Sequence, residues 1–152
     1  MRITKNFTLC ELTKSEYATR KGIDNTAPNE AVVNLVILTK KVLQPIRDKL
    51  GAVIVTSGYR SPDLNKAVGG SKISDHCRGI AVDFEVLGMD NMDVAKWIRD
   101  NLTFKQLILE FYNEGDPTSG WIHLSYKEGE NNNEVLRARY SGKKVVYTQG
   151  IE

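Results

Sequence analysis

Only two histidines occur in the 152 residues, at His76 and His123. Each sits in an ordered setting, His76 in SDHCRGIAVDF (74–84) and His123 in GWIHLSY (120–126). Catalytic zinc sites take three protein ligands from His, Asp, Glu or Cys and leave the fourth position to water. In 80–86, Ile80, Val82, Phe84 and Val86 share one strand face while Ala81, Asp83 and Glu85 share the other, so Asp83 points away from the apolar side. Gly79 permits a turn between His76 and that strand, which lets a loop histidine and a strand aspartate meet at one ion. Asp83 is the natural third ligand.

The elements that must hold these residues follow from periodicity. Thr13-Lys14-Ser15-Glu16 reads as a capping box opening a helix over 14–21, closed by Gly22. Val32, Leu35, Val36, Val42, Leu43, Ile46 and Leu50 recur at helical spacing and give the main core helix, entered at Pro28 and kinked by Pro45. A buried strand over 52–56 runs into the loop Ser57-Gly58-Tyr59-Arg60, and 61–68 form a short helix with Ser61 as cap and Pro62 at its first position. Asp90 caps a helix through Val94, Trp97, Ile98 and Leu102. Strand signals follow at 106–111, 121–126, 135–140 and 144–148, with a polar loop at 128–133. Helices first and strands later predict an α+β fold, a single domain over 1–152 with helices packed on a mainly antiparallel sheet.

Composition narrows the function. The chain is 41% hydrophobic and 26% charged with net charge +2, the balance of one globular domain that folds without disulfide or metal staples. Arg137, Arg139, Lys143 and Lys144 alternate with apolar residues as solvent-facing strand positions do, so nucleic acid is not an expected partner. Cys10 and Cys77 form no C-x-x-C pair and are expected reduced. No segment approaches the ~20 apolar residues of a membrane span, and MRITKNFTLCELTKSEY has no apolar run of signal-peptide length, so the expectation is a protein made in the cytoplasm without membrane insertion.

Ser74-x-His76-x-x-Gly79-x-Ala81-x-Asp83, followed by Trp121-x-His123, resembles the metal signature of the zinc D-alanyl-D-alanine carboxypeptidase family, which includes D-Ala-D-Ala dipeptidases and phage endolysin peptidases and shares its metal-site fold with the hedgehog domain. FTLCELTKSEYATRKGIDN (7–25), SGYRSPDLNKAVGG (57–70) and QLILEF (106–111) also resemble segments of small, often phage-borne members, so the likeness covers most of 7–126. The resemblance implies one Zn²⁺ on His76, Asp83 and His123, peptidoglycan stem peptides as substrate, and hydrolysis by metal-activated water. It also implies that Arg60 binds substrate and steadies the oxyanion, with Asn65 and Ser74 as substrate hydrogen-bonders.

The general base is less direct. Several relatives carry the catalytic acid a few residues before the second histidine, but 117–122 read Pro-Thr-Ser-Gly-Trp-Ile. That leaves Glu110, Glu114 and Asp116, of which Glu110 is preferred because a carboxylate among so many apolar residues needs a reason. If 106–111 and 121–126 pair as a hairpin, Glu110 and His123 share a face. The expected function is a zinc peptidase of carboxypeptidase or L-Ala-D-Glu endopeptidase type, monomeric, acting on the wall when released in a phage or prophage lysis context, or virion-associated. The competing class is a non-catalytic zinc-binding interaction or structural protein on the same fold.

Overall fold

A computed structural model describes residues 1–152. Two short helices begin the chain, α1 (Leu9–Thr13) and α2 (Glu16–Lys21). The capping box belongs to α1: the Thr8 side chain accepts from Glu11 N while Glu11 reaches back to Thr8 N. Ser15 caps α2, and Gly22 closes it at φ 67. The helix expected over 14–21 is thus α2, and α1 before it is a further helix, made possible because Thr8 satisfies orphan amides that the sequence pattern did not credit.

The main core helix is divided but continuous. α3 (Asn29–Leu38) passes through a π-helical turn at Thr39–Leu43 into α4 (Gln44–Leu50). Pro45, lacking an N–H, removes one hydrogen bond from the ladder, and the wider turn just before it absorbs the mismatch without ending the helix. Buried Leu35, Leu38, Val42, Leu43 and Ile46 keep one apolar side through the junction.

Six strands form one sheet in the order β1-β2-β4-β3-β5-β6: β1 (Val53–Ser57), β2 (Ala81–Val86), β3 (Gln106–Glu110), β4 (Trp121–Ser125), β5 (Glu134–Ser141) and β6 (Lys144–Gln149). All neighbours are antiparallel except β3 and β5, which run parallel. The α+β expectation holds. α5 (Pro62–Ala67) and α6 (Asn91–Asn101) carry the caps expected, Ser61 and Asp90.

Alternation divides the sheet into two faces. Val82, Phe84, Leu107, Leu109, Ile122 and Leu124 join Phe7, Leu12, Leu35, Leu38 and Ile98 in one core cluster. Each such side chain contributes about 1.5–3 kcal/mol on leaving water, so this face fixes the strand register. The opposite face carries Asp83, His123, Ile108 and Glu110, and no helix of the core covers it. No helix is long and apolar enough to cross a membrane.

Arg137 corrects one expectation. It is buried rather than solvent-facing, its guanidinium donating to the Ile151 and Tyr112 carbonyls and pairing with Glu114 at 2.7 Å. Its stem packs from the core face, and its two terminal nitrogens spend their bonds on these carbonyls and on Glu114 while Nε stays buried without a partner.

Candidate metal centre and active site

Pairing register assembles the site. Asp83 on β2 stands directly opposite His123 on β4, and His123 stands opposite Ile108 on β3. Two register positions along, and so on the same face, Glu110 stands opposite Trp121. Directly paired residues share a face, so the β3–β4 hairpin brings Glu110 and His123 to one side, as the sequence pattern predicts.

His76 arrives from a 3₁₀ turn, Asp75–Arg78, rather than from an irregular loop. Ser74 caps the turn by accepting from His76 N at 3.2 Å. Gly79 ends it at φ 74, and a Cβ there would lie 2.5 Å from the Ala31 carbonyl oxygen. Both the backbone angle and the close approach require glycine. Arg60 N donates to His76 O at 3.1 Å, and Gly58 O lies 2.7 Å from His76 Nδ1. A carbonyl only accepts, so Nδ1 carries the proton and Nε2 presents its lone pair to the site.

The donor atoms of His76, Asp83 and His123 all lie within 4.8 Å of one another. Asp83 Oδ1 is 3.0 Å from His123 Nδ1 and 3.4 Å from His76 Nε2, and the imidazoles meet edge to face with centroids 5.2 Å apart. His76 Nε2 is buried without a hydrogen-bond partner. Burial opposes ionisation of Asp83, but the two imidazoles overcome it and hold the carboxyl well below the usual carboxylate range. Burial likewise opposes protonation of His123, and the Asp83 carboxylate overrides it and raises the imidazole. An unpartnered buried nitrogen, a second imidazole and a carboxylate kept ionised are a donor set fitted to a divalent cation, with two nitrogens and one oxygen suiting zinc.

The three acids considered for proton transfer are separated by the structure. Glu114 is exposed and paired with Arg137, and Asp116 is exposed and spends its carboxylate on Thr118. Glu110 lines the cleft with His76, Asp83 and His123. Trp121 Nε1 donates to Glu110 Oε2 at 2.6 Å, so Trp121 is both a wall of the cleft and the partner that orients the acid. Burial, then the Asp83 charge, raises the Glu110 carboxyl above its ordinary value. Gly120, at φ 67, lets the chain turn back against the Glu110 carbonyl, which a Cβ would meet at 2.1 Å.

Arg60 also lines this cleft, with its Nε buried and unpartnered. Its loop is pinned by Asn25, whose side chain donates to Thr13 O and Tyr59 O and accepts from Ser61 N. Asn25 was not singled out from sequence, since a polar residue after a helix-closing glycine looks like any turn former. Ser74 faces the cleft, whereas Asn65 is buried with its amide donating to Ser71 O at 2.7 Å, so Asn65 reaches the site through the 69–72 loop that it holds. Asp75 pairs with Lys105 at 2.7 Å. Both cysteines are free, and burial pushes the Cys77 thiol up, away from a thiolate ligand's state.

Residues 5–125 match the Peptidase M15 family. The chain belongs to that family. The match spans the whole constellation, from the helices behind the Arg60 loop to His123 and the end of β4. M15 peptidases are zinc-dependent, and membership supports a metallopeptidase and peptidoglycan-type substrates. No curated protein matches the chain.

Proposed function

We propose that this protein is a zinc peptidase that cleaves the stem peptides of peptidoglycan, with Glu110 as general base and Arg60 as the anion-binding group. The observation that carries the reading is the convergence of His76, Asp83, His123 and Glu110 on one sheet face within one cleft of about 780 Å³. When bound by the three ligands, zinc supplies a Lewis acid that polarises the scissile carbonyl and acidifies water.

The remaining work falls to the chain. Trp121 occupies Glu110 Oε2 and leaves Oε1 to take a proton and pass it to the departing amine. The raised Glu110 carboxyl suits both halves of that task, since it takes a proton more readily than a free glutamate and its acid form then donates it. Arg60, fixed at the end of β1 by its backbone bond to His76, offers a guanidinium to a substrate carboxylate or developing oxyanion. Ser74 adds a hydroxyl beside it, and Asn65 holds the loop that closes this side.

An endopeptidase is favoured over a carboxypeptidase. A second cleft of about 1010 Å³, between α2 and β1, shares Arg60 and Asp83 with the first. The groove therefore continues past the reacting centre toward α2, a length that an enzyme trimming one terminal residue does not need. Digestion of defined muropeptides with products read by mass tests this: new termini at an internal L-Ala-D-Glu bond support it, and loss of only a terminal D-Ala assigns the carboxypeptidase.

A further inference from the structure

The M15 match ends at residue 125, yet the residues after it return to the cleft. β5 lies parallel to β3, and β6 forms the sheet edge. Trp121, Glu110, Ala138 and Tyr147 are successive partners across β4, β3, β5 and β6, one row on one face. At about 4.8 Å per strand, the Tyr147 backbone stands roughly 10 Å from that of Glu110. Tyr147 and Val145 line the same cleft as the metal ligands, although Tyr147 is 53% and Val145 42% exposed.

Phe111 strengthens this wall by an unusual backbone. In a regular strand it would face away from Glu110, but its φ of 57 breaks the alternation. A bulky residue in the left-handed region costs on the order of 1–2 kcal/mol, and such strain collects at functional sites. Its effect is to lay the Phe111 ring against Tyr140, with centroids 4.4 Å apart, and against Trp121 at 5.4 Å. The cleft thus has two unlike sides: Arg60 and the Lys105–Asp75 pair on one, and Phe111, Trp121, Val145 and Tyr147 on the other.

We infer that the β5–β6 hairpin is a substrate-binding wall, in which Tyr147, on the same cleft-facing side as the Phe111–Tyr140 stack, receives an uncharged, C–H-rich part of the substrate while Arg60 holds its anionic part. This rests on the peptidase reading above. The same chemistry is presented by an alkyl side chain of the stem peptide and by the face of a glycan ring, both of which pack on aromatic surfaces. Tyr147 acts here on binding and specificity, not on the reacting atoms.

The test compares wild type, Tyr147→Ala and Tyr147→Phe on a free stem peptide and on the same peptide carrying its disaccharide. Tyr147→Ala should raise KM about tenfold with kcat nearly unchanged, and Tyr147→Phe, which keeps the ring, should recover wild-type KM. A rise with both substrates assigns the alkyl side chain; a rise confined to the disaccharide-peptide assigns the glycan ring. Unchanged KM on both overturns the inference and leaves the peptidase reading intact. If wild type cleaves neither, the peptidase reading falls, and the wall is then judged by tryptophan-fluorescence titration with the disaccharide-peptide. Weaker binding by Tyr147→Ala supports it, and equal binding or none overturns it.

Discussion

Asp83 Oδ1 lies 3.0 Å from His123 Nδ1 because the two residues are direct partners in the antiparallel pairing of β2 and β4. The register of a buried sheet therefore sets the spacing of these two donor side chains, and His76 is brought to them by a single capped turn. Wild-type protein is expected to bind one zinc ion. Asp83→Ala should weaken that binding by at least about 100-fold in calorimetric titration, since ligand and orienting partner are lost together. Zinc at 100 times its Kd should stabilise wild type by about 2.7 kcal/mol, a rise in Tm of roughly 5–10 °C that Asp83→Ala does not show.

Gly79→Ala should damage both fold and site. The new methyl meets the Ala31 carbonyl oxygen at 2.5 Å on a backbone at φ 74. A loss of about 1–3 kcal/mol is expected in denaturant unfolding of the metal-free protein, with weaker zinc binding because the His76 turn is displaced.

Glu110→Gln should lower kcat by roughly 10² to 10⁴-fold while zinc binding persists. Its effect on stability has the opposite sign. Burial and the Asp83 charge raise the Glu110 carboxyl in the folded state, so the native protein holds its proton to higher pH than the unfolded chain does. Stability is therefore lost as pH rises from the unfolded value through the folded one, and the loss stays in force at neutrality. The neutral amide escapes it. Metal-free Glu110→Gln should melt above wild type near pH 8, and the difference should vanish below the ordinary glutamate range.

Trp121→Phe isolates the indole's part. The Trp121 N–H bond favours the charged form of Glu110, so its removal should push the carboxyl still higher. The acid limb of the kcat/KM profile should move to higher pH than in wild type, with Phe preserving most of the ring's packing against Phe111.

Much of this was legible in the residues. Two histidines and the 74–83 spacing pointed to the His76, Asp83 and His123 cluster, and strand alternation placed Asp83 and Glu110 on the cleft face, because period-2 patterning is a local property. Other features depend on contacts between segments distant in sequence. The alternation of Arg137 with apolar neighbours suggested solvent, but only the Tyr112 and Ile151 carbonyls reveal its buried role. Tyr147 and Val145 read as ordinary strand residues until a parallel β3–β5 pairing carries them to the cleft. Phe111 lay in a predicted strand, and its positive φ has no signature in residue type.

The most direct test of the account is cleavage of purified peptidoglycan by zinc-loaded, chelator-treated and zinc-restored protein, with Glu110→Gln run beside them. The account predicts new peptide termini with the zinc-loaded protein, loss of cleavage with chelator, recovery on zinc addition, and near absence of product with Glu110→Gln. Zinc-loaded, folded protein that releases no peptide product, or cleavage that persists without metal, would contradict it.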